Sequence, residues 1–115
     1  MAQVPLKNRR CVPCKAGTPP LDDGTVRLLL GEVPSWKLGA EPGQPSRISR
    51  KFEFKDFLGA MGFVSKMAAL AEEEQHHPDF CVHYSRVDVT LWTHAVGGLS
   101  ENDFILASKL DAITA

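Results

Sequence analysis

The feature that most constrains this chain is a change of hydrophobic period within one short stretch. Ile48, Arg50, Phe52 and Phe54 alternate with Ser49, Lys51 and Glu53, a period of two that marks a half-buried strand. From Lys55 the period lengthens. Phe57, Met61, Val64, Ala68 and Ala71 step by four, three, four and three, which is one face of a helix ending near Gln75. A second apolar stripe, Ala60, Phe63, Met67 and Leu70, runs beside the first, so the apolar face is wider than one sheet needs. The two stripes are expected to serve as core and as subunit contact.

The same switch occurs elsewhere. Asp22 is placed to cap a short helix carrying Val26, Leu29, Leu30 and Val33, which Gly31 and Pro34 end. Trp36–Leu38 is a short strand candidate, joined to the alternating strand through a turn at 39–45 too short for a parallel crossover, so the pair is expected to be a hairpin. After Pro78, Phe80–Tyr84 and Val87–Leu91 give a second hairpin with a turn at Ser85–Arg86, ending at Thr93–His94. Ser100 opens a last helix, Asp103 stands three residues on as in a capping box, and Phe104, Ala107, Leu110 and Ile113 form its stripe. The order helix, two strands, helix, two strands, helix predicts an α+β fold: a four-stranded antiparallel sheet with three helices packed on one face. At 115 residues the chain has room for one domain, read as 21–115, preceded by an irregular arm over 1–20 that holds four of the eight prolines.

Charge excludes some functions. Residues 1–15 hold Lys7, Arg9, Arg10 and Lys15 and no acid, a charge of +4 against a chain total of −1. A near-neutral chain lacks the cationic surplus of a general nucleic-acid binder, and the basic head is expected to be a solvated terminus. The longest unbroken apolar run is Met67–Ala71, too short to span a membrane, and the basic start lacks the apolar segment of a secretory signal. Cys11 and Cys14 form C-V-P-C, but there is no second such pair for a four-cysteine zinc site, and the motif runs into Gly17, Pro19 and Pro20 rather than a helix. Cys11, Cys14 and Cys81 are expected to be reduced thiols in a cytoplasmic protein. A zinc or redox use of the C-V-P-C pair is the weaker alternative.

The chemistry-bearing residues cluster. All four histidines lie between positions 76 and 94, and three of them, His76, His77 and His94, stand at the ends of expected elements. Imidazole titrates near neutrality and serves as both acid and base. Adjacent histidines on a helix point about 100° apart, and the i, i+4 spacing of a metal pair is missing. Two readings stay open from the residues alone: polar helix termini that offset the helix dipole, or acid–base catalysis with Glu72, one turn before His76. The run Glu72–Glu73–Glu74 also fits a solvated face. Cys81 as a nucleophile would have only His83, on the same strand face, as its base. No nucleotide-binding, nucleophile-elbow or zinc-protease motif occurs.

HHPD at 76–79, LWTHAVGGLSENDFILA at 91–107 and FEFKDF at 52–57 together resemble the pterin-4a-carbinolamine dehydratases, and CVPC with Trp36 after a short helix resembles the bacterial members. The likeness runs from about Cys11 to Asp111. It implies dehydration of 4a-hydroxytetrahydrobiopterin to the quinonoid dihydropterin, which recycles the pterin of aromatic amino acid hydroxylases. The resemblance places the catalytic residues at His76, His77 and His94 and the substrate-binding residues at Glu72, Pro78, Thr93, Ala95, Val96 and Asp103. It implies no metal and no cofactor beyond the pterin substrate, a homodimer or homotetramer, a functional link to a hydroxylase, and no nucleic-acid or membrane partner. Asp103 has a second role open to it, capping the last helix. Gln75 departs from the animal members, which carry an acid before the histidine pair. Relatives without the catalytic set act as interaction or assembly modules, and the apolar face of helix 57–71 would suit that alternative.

Overall fold

A computed structural model describes residues 4–114; residues 1–3 and 115, the outer ends of the arm and domain read from the sequence, lie outside it. Three helices and four strands follow in the expected order: α1 (Asp23–Leu30), β1 (Lys37–Gly39), β2 (Arg47–Glu53), α2 (Phe57–Glu74), β3 (Asp79–His83), β4 (Arg86–Leu91) and α3 (Glu101–Thr114). All pairings are antiparallel and the strand order is β1-β2-β4-β3, so the second strand of each hairpin lies at the centre. Ile48 faces Leu91 and Phe52 faces Val87 across the central pair. These four residues and Val89 are buried on one face of the sheet, beneath the helices, while Ser49 and Lys51 on the opposite face are exposed. The fold is thus the expected α+β architecture.

Local chemistry accounts for the element boundaries. The Asp22 carboxylate accepts the Thr25 amide at 2.7 Å and so starts α1; that hydrogen bond holds its carboxyl below the ordinary range. Asp56 does the same for α2 through Gly59, at 2.8 Å. At the other end of α2, Gln75 takes a left-handed conformation (φ 54°), and its side-chain amide donates to the Glu72 carbonyl at 2.6 Å. The helix therefore stops before the histidines, and His76 and His77 stand beyond it in irregular chain, with the His76 amide donating back to the Ala71 carbonyl at 3.2 Å.

Other boundaries differ from the reading of the sequence. The second hairpin turns at Tyr84–Ser85, where Tyr84 is left-handed (φ 53°), and Arg86 already pairs with Glu53 and His83. The strand before His94 ends at Leu91; His94–Val96 is a 3-10 turn closed by a bridge between Thr93 and Gly98. On α2, the stripe that enters the core is the second one: Ala60, Phe63 and Met67 are buried, and Phe63 stacks on Phe52 with ring centroids 4.5 Å apart. Phe57, Met61 and the neighbouring Leu58 face outward, although Ala71, at the end of the first stripe, is buried. Asp111 of α3 accepts Trp36 Nε1 at 2.8 Å and Arg50 at 2.5 Å, tying that helix to β2 and to the residue before β1.

The basic head is docked rather than solvated. A 3-10 turn over Leu6–Asn8 packs on α3, and Leu6 joins the core at 2% exposure. This second covering explains why α3 is buried well beyond its expected stripe, at Asn102, Asp103, Ile105 and Leu106 as well. Arg9 pairs with Glu101 at 2.7 Å, and the Cys11 amide donates to Glu74 at 2.8 Å. Glu74 also receives Arg10 Nε at 3.0 Å and Lys109 Nζ at 3.1 Å. Burial pushes the Glu74 carboxyl up, but the Cys11 amide, Lys109 and Arg10 outweigh it and hold the group below the ordinary carboxylate range.

The inner and outer stripes of α2 are separable by mutation. Met67→Ala, at 1% exposure, should cost about 2–5 kcal/mol in denaturant unfolding. Leu58→Ala, at 80% exposure, should change stability by less than about 0.5 kcal/mol. Acid should release the arm. A carboxyl lowered in the folded state stabilises fully above its unfolded value, and that contribution is lost as pH falls through the folded one. Protection of the Cys11 amide from hydrogen exchange should accordingly hold at neutral pH and fade below the ordinary carboxylate range, while amides of the β2–β4 pair stay protected.

Candidate active site

The end of α2, the loop that follows and the start of α3 converge on two imidazole–carboxylate pairs. His76 Nε2 lies 2.6 Å from Asp103 Oδ1, and His77 Nε2 lies 2.7 Å from Glu72 Oε2. Glu72 thus partners His77, not His76. A carboxylate accepts only, so each ring is held with its proton on Nε2, and each Nδ1 has no protein partner among the described residues. The pairs differ in setting. The Asp103 side chain is fully buried and that of His76 is 11% exposed, whereas those of His77 and Glu72 are 59% and 73% exposed.

Asp103 is fixed from three directions. Besides His76, its carboxylate receives Thr93 Oγ1 at 2.9 Å and the Ser100 amide at 2.9 Å. Thr93 Oγ1 in turn lies 2.7 Å from Ser100 Oγ; since Thr93 gives its proton to Asp103, Ser100 donates to Thr93. This is half a capping box: the acid reaches back to the Ser100 amide, but the serine hydroxyl is spent on Thr93 and not on the helix. Capping and histidine support are therefore both done by Asp103. Its three partners come from the loop after α2, the segment after β4 and the approach to α3, and no buried side-chain nitrogen or oxygen among the described residues lacks a partner.

His94 follows Thr93 and so joins the network through the backbone, but its own ring stacks on Trp92, with centroids 3.7 Å apart, and not on either histidine of the pair. Trp92 Nε1 donates to Asp79 at 3.2 Å, which sets the stacking surface. Beside His77 lies a cavity of about 290 Å³ lined by Met67, Ala68, Ala71, Glu72, His77, Pro78 and Phe80, close to the lower end of the roughly 300–1,000 Å³ of ligand sites. Its walls are mostly apolar, with one imidazole and one carboxylate at the rim. Of the residues singled out from the sequence, Glu72, His77 and Pro78 line it. His76, Thr93 and Asp103 do not line it. Ala95 and Val96 form the 3-10 turn and do not line this cavity; Ala95 is exposed and Val96 is buried.

Sequence reasoning took Ser100 as a helix start only and passed over Trp92 and Phe80. A serine three residues before an acid, next to a threonine strand end, is the signal that was there to be read for Ser100. For the other two there is no signal short of the register that sets Phe80 opposite Val89. The C-V-P-C segment carries no reactive thiolate at Cys11: burial, then the Glu74 charge, push that thiol up to about 12. Among the described residues no three His, Cys, Asp or Glu side chains converge in a metal-binding group, and no helix is long and apolar enough to cross a membrane.

The isosteric change Asp103→Asn separates the acceptor geometry from the charge. It should leave the fold intact and reverse the His76 tautomer in part of the molecules, as the ring loses its fixed orientation. The NMR tautomer signature of the His76 ring checks this.

The profile of the family described as pterin 4 alpha carbinolamine dehydratase matches residues 19–113. A protein of Stenotrophomonas maltophilia that carries pterin-4-alpha-carbinolamine dehydratase as a provisional name is 48% identical over 111 residues, covering 96% of this chain and 93% of the relative. One of Rubrobacter xylanophilus with the same provisional name is 39% identical, over 94% of this chain and 97% of the relative. Among solved structures, a transcriptional coactivator/pterin dehydratase from Brucella melitensis is similar at TM-score 0.75 and 38% identity, covering 84% of this chain and 99% of its own. A pterin dehydratase-like protein described as a RuBisCO assembly factor in the alpha-carboxysome shares the fold at TM-score 0.60 and 24% identity, over 70% of this chain and 90% of its own. With its helix–hairpin order intact and nearly its whole length matched, the chain belongs to the pterin 4 alpha carbinolamine dehydratase family.

Proposed function

We propose that this protein dehydrates a 4a-hydroxytetrahydropterin to the quinonoid dihydropterin and water. The observation that carries the reading is the pair of adjacent imidazoles, each held through Nε2 by its own carboxylate and each with Nδ1 open. Loss of water from C4a needs a proton delivered to the leaving hydroxyl and another taken from N5. The C4a–O bond then breaks with its electron pair leaving on water, the N5 electrons form the C4a–N5 double bond, and the protein ends with its protons unchanged in number. Two imidazoles in opposite protonation states meet that requirement near neutral pH.

The apolar lining from Met67 to Phe80 suits the flat face of a pterin ring, with Glu72 and His77 at its polar edge. His94, stacked on Trp92 and next in sequence to Thr93, would serve as the third imidazole of the site. The carboxylates of Asp103 and Glu72 supply the anionic support that Gln75, occupied with the Glu72 carbonyl, does not. In a cell the substrate would come from an aromatic amino acid hydroxylase, the protein would act in the cytoplasm as a homo-oligomer, and no further cofactor would be consumed.

A stopped assay tests the proposal. The carbinolamine is generated in place by a hydroxylase and its absorbance decay is followed without protein, with wild type and with His76→Ala. Wild type should accelerate the decay, and His76→Ala should lower the rate by roughly 10²–10⁴-fold. A folded wild type that leaves the decay unchanged would overturn the dehydratase reading. It would shift attention to the outward stripe of α2, Phe57, Leu58 and Met61, as a surface for binding another protein.

A further inference from the structure

The arm touches the rest of the molecule at two places of particular consequence. One is Glu74, the last residue of α2 and two residues before His76. Its carboxylate accepts the Cys11 amide at 2.8 Å and pairs with Arg10 at 3.0 Å, and its side chain has no exposed surface. The other is Asn102, one residue before Asp103 and itself 5% exposed. The Asn102 side chain closes a two-way bridge with the backbone of Val12: the Val12 amide donates to its Oδ1 at 3.0 Å, and its Nδ2 donates to the Val12 carbonyl at 2.6 Å. Three successive arm residues, Arg10, Cys11 and Val12, thus span from the end of α2 to the first turn of α3.

These are the two segments whose separation sets the bond between His76 and Asp103. That bond is short, at 2.6 Å, and a displacement of either segment by a fraction of an ångström degrades it. Lys109 of α3 also holds Glu74, at 3.1 Å, so the arm is one of two ties at this corner. Among the described residues, however, only the arm holds both the oxygen and the nitrogen of the Asn102 amide. We infer that arm residues 10–12 form part of the frame of the candidate site, with Glu74 and Asn102 as positioning residues that keep His76 seated on Asp103. The catalytic half of this inference rests on the dehydratase reading. The geometric half does not.

Val12→Pro tests it in the full-length protein. Val12 is 65% exposed, so the change removes an N–H without touching the core. Pro13 already biases position 12 toward extended backbone, which a proline accepts. Val12→Ala is the conservative partner that trims the side chain and keeps the N–H. Two quantities are read well below the unfolding temperature: the hydrogen exchange of the His76 Nε2 proton by NMR, and kcat with KM. One net hydrogen bond corresponds to about a tenfold change in an equilibrium. In Val12→Pro the Nε2 proton should exchange roughly tenfold faster and kcat should fall by a similar factor with KM nearly unchanged, whereas Val12→Ala should match wild type. Asn102→Ala should give the same phenotype and should not add to Val12→Pro in the double variant. Equal exchange and equal kcat in the proline and alanine variants would overturn the inference. Should wild type prove inactive, the dehydratase reading fails by itself, and the His76 exchange rates alone decide whether the arm holds the pair.

Discussion

A carboxylate with no exposed surface, Asp103, is the point on which the site depends. An acid buried without partners costs several kcal/mol, and this one is tolerated because a hydroxyl, a backbone amide and an imidazole all donate to it. Each donor belongs to a different segment: the stretch just after β4, the approach to α3 and the loop after α2. Satisfying one buried group therefore fixes three pieces of chain at once. The same requirement makes His76 the most constrained imidazole of the molecule, while His77, paired at the surface with Glu72, keeps freedom to move with a ligand.

The architecture places that carboxylate by a simple device. Each hairpin is followed by a helix, and the second strand of each hairpin lies at the centre of the sheet. The end of α2 and the start of α3 consequently meet over the β3–β4 side, where Phe80 and Pro78 close the apolar hollow beside His77. Sheet and helices supply rigid walls, and the reactive groups stand on short connections between them. That is the usual division between scaffold and chemistry.

What could be read from the sequence follows from how local its causes are. The alternation from Ile48 to Phe54 and the helical stepping after Lys55 are properties of neighbouring residues, and the elements they predict are present. Asp22 capping its helix is equally local. The choice between two apolar stripes on α2 is not local, because both are apolar enough and only the position of Phe52 decides that Phe63 and Met67 turn inward. The three glutamates 72–74 show the same limit. Successive residues on a helix point about 100° apart, so identical side chains meet a histidine, an exposed arginine and a buried basic corner. The basic head looked like a solvated tail because its contacts are hydrogen bonds to groups some 60 to 90 positions away, and such bonds leave no periodic trace. At the site, the histidines and Asp103 were legible as chemistry, whereas the pairing of Glu72 with His77 and the stacking of His94 on Trp92 depend on side-chain directions that only the folded chain defines.

The docked arm also bears on where the working unit begins. The family profile matches from residue 19, so a chain trimmed to that point would retain the three α-helices and four strands yet lose Leu6 from the core. It would also leave the Glu74 carboxylate and the Asn102 amide facing the space that Arg10, Cys11 and Val12 had filled. Water would have to enter that corner to satisfy them. The start of the profile match and a boundary drawn by hydrogen-bond completeness differ here by at least nine residues, and the second encloses the site.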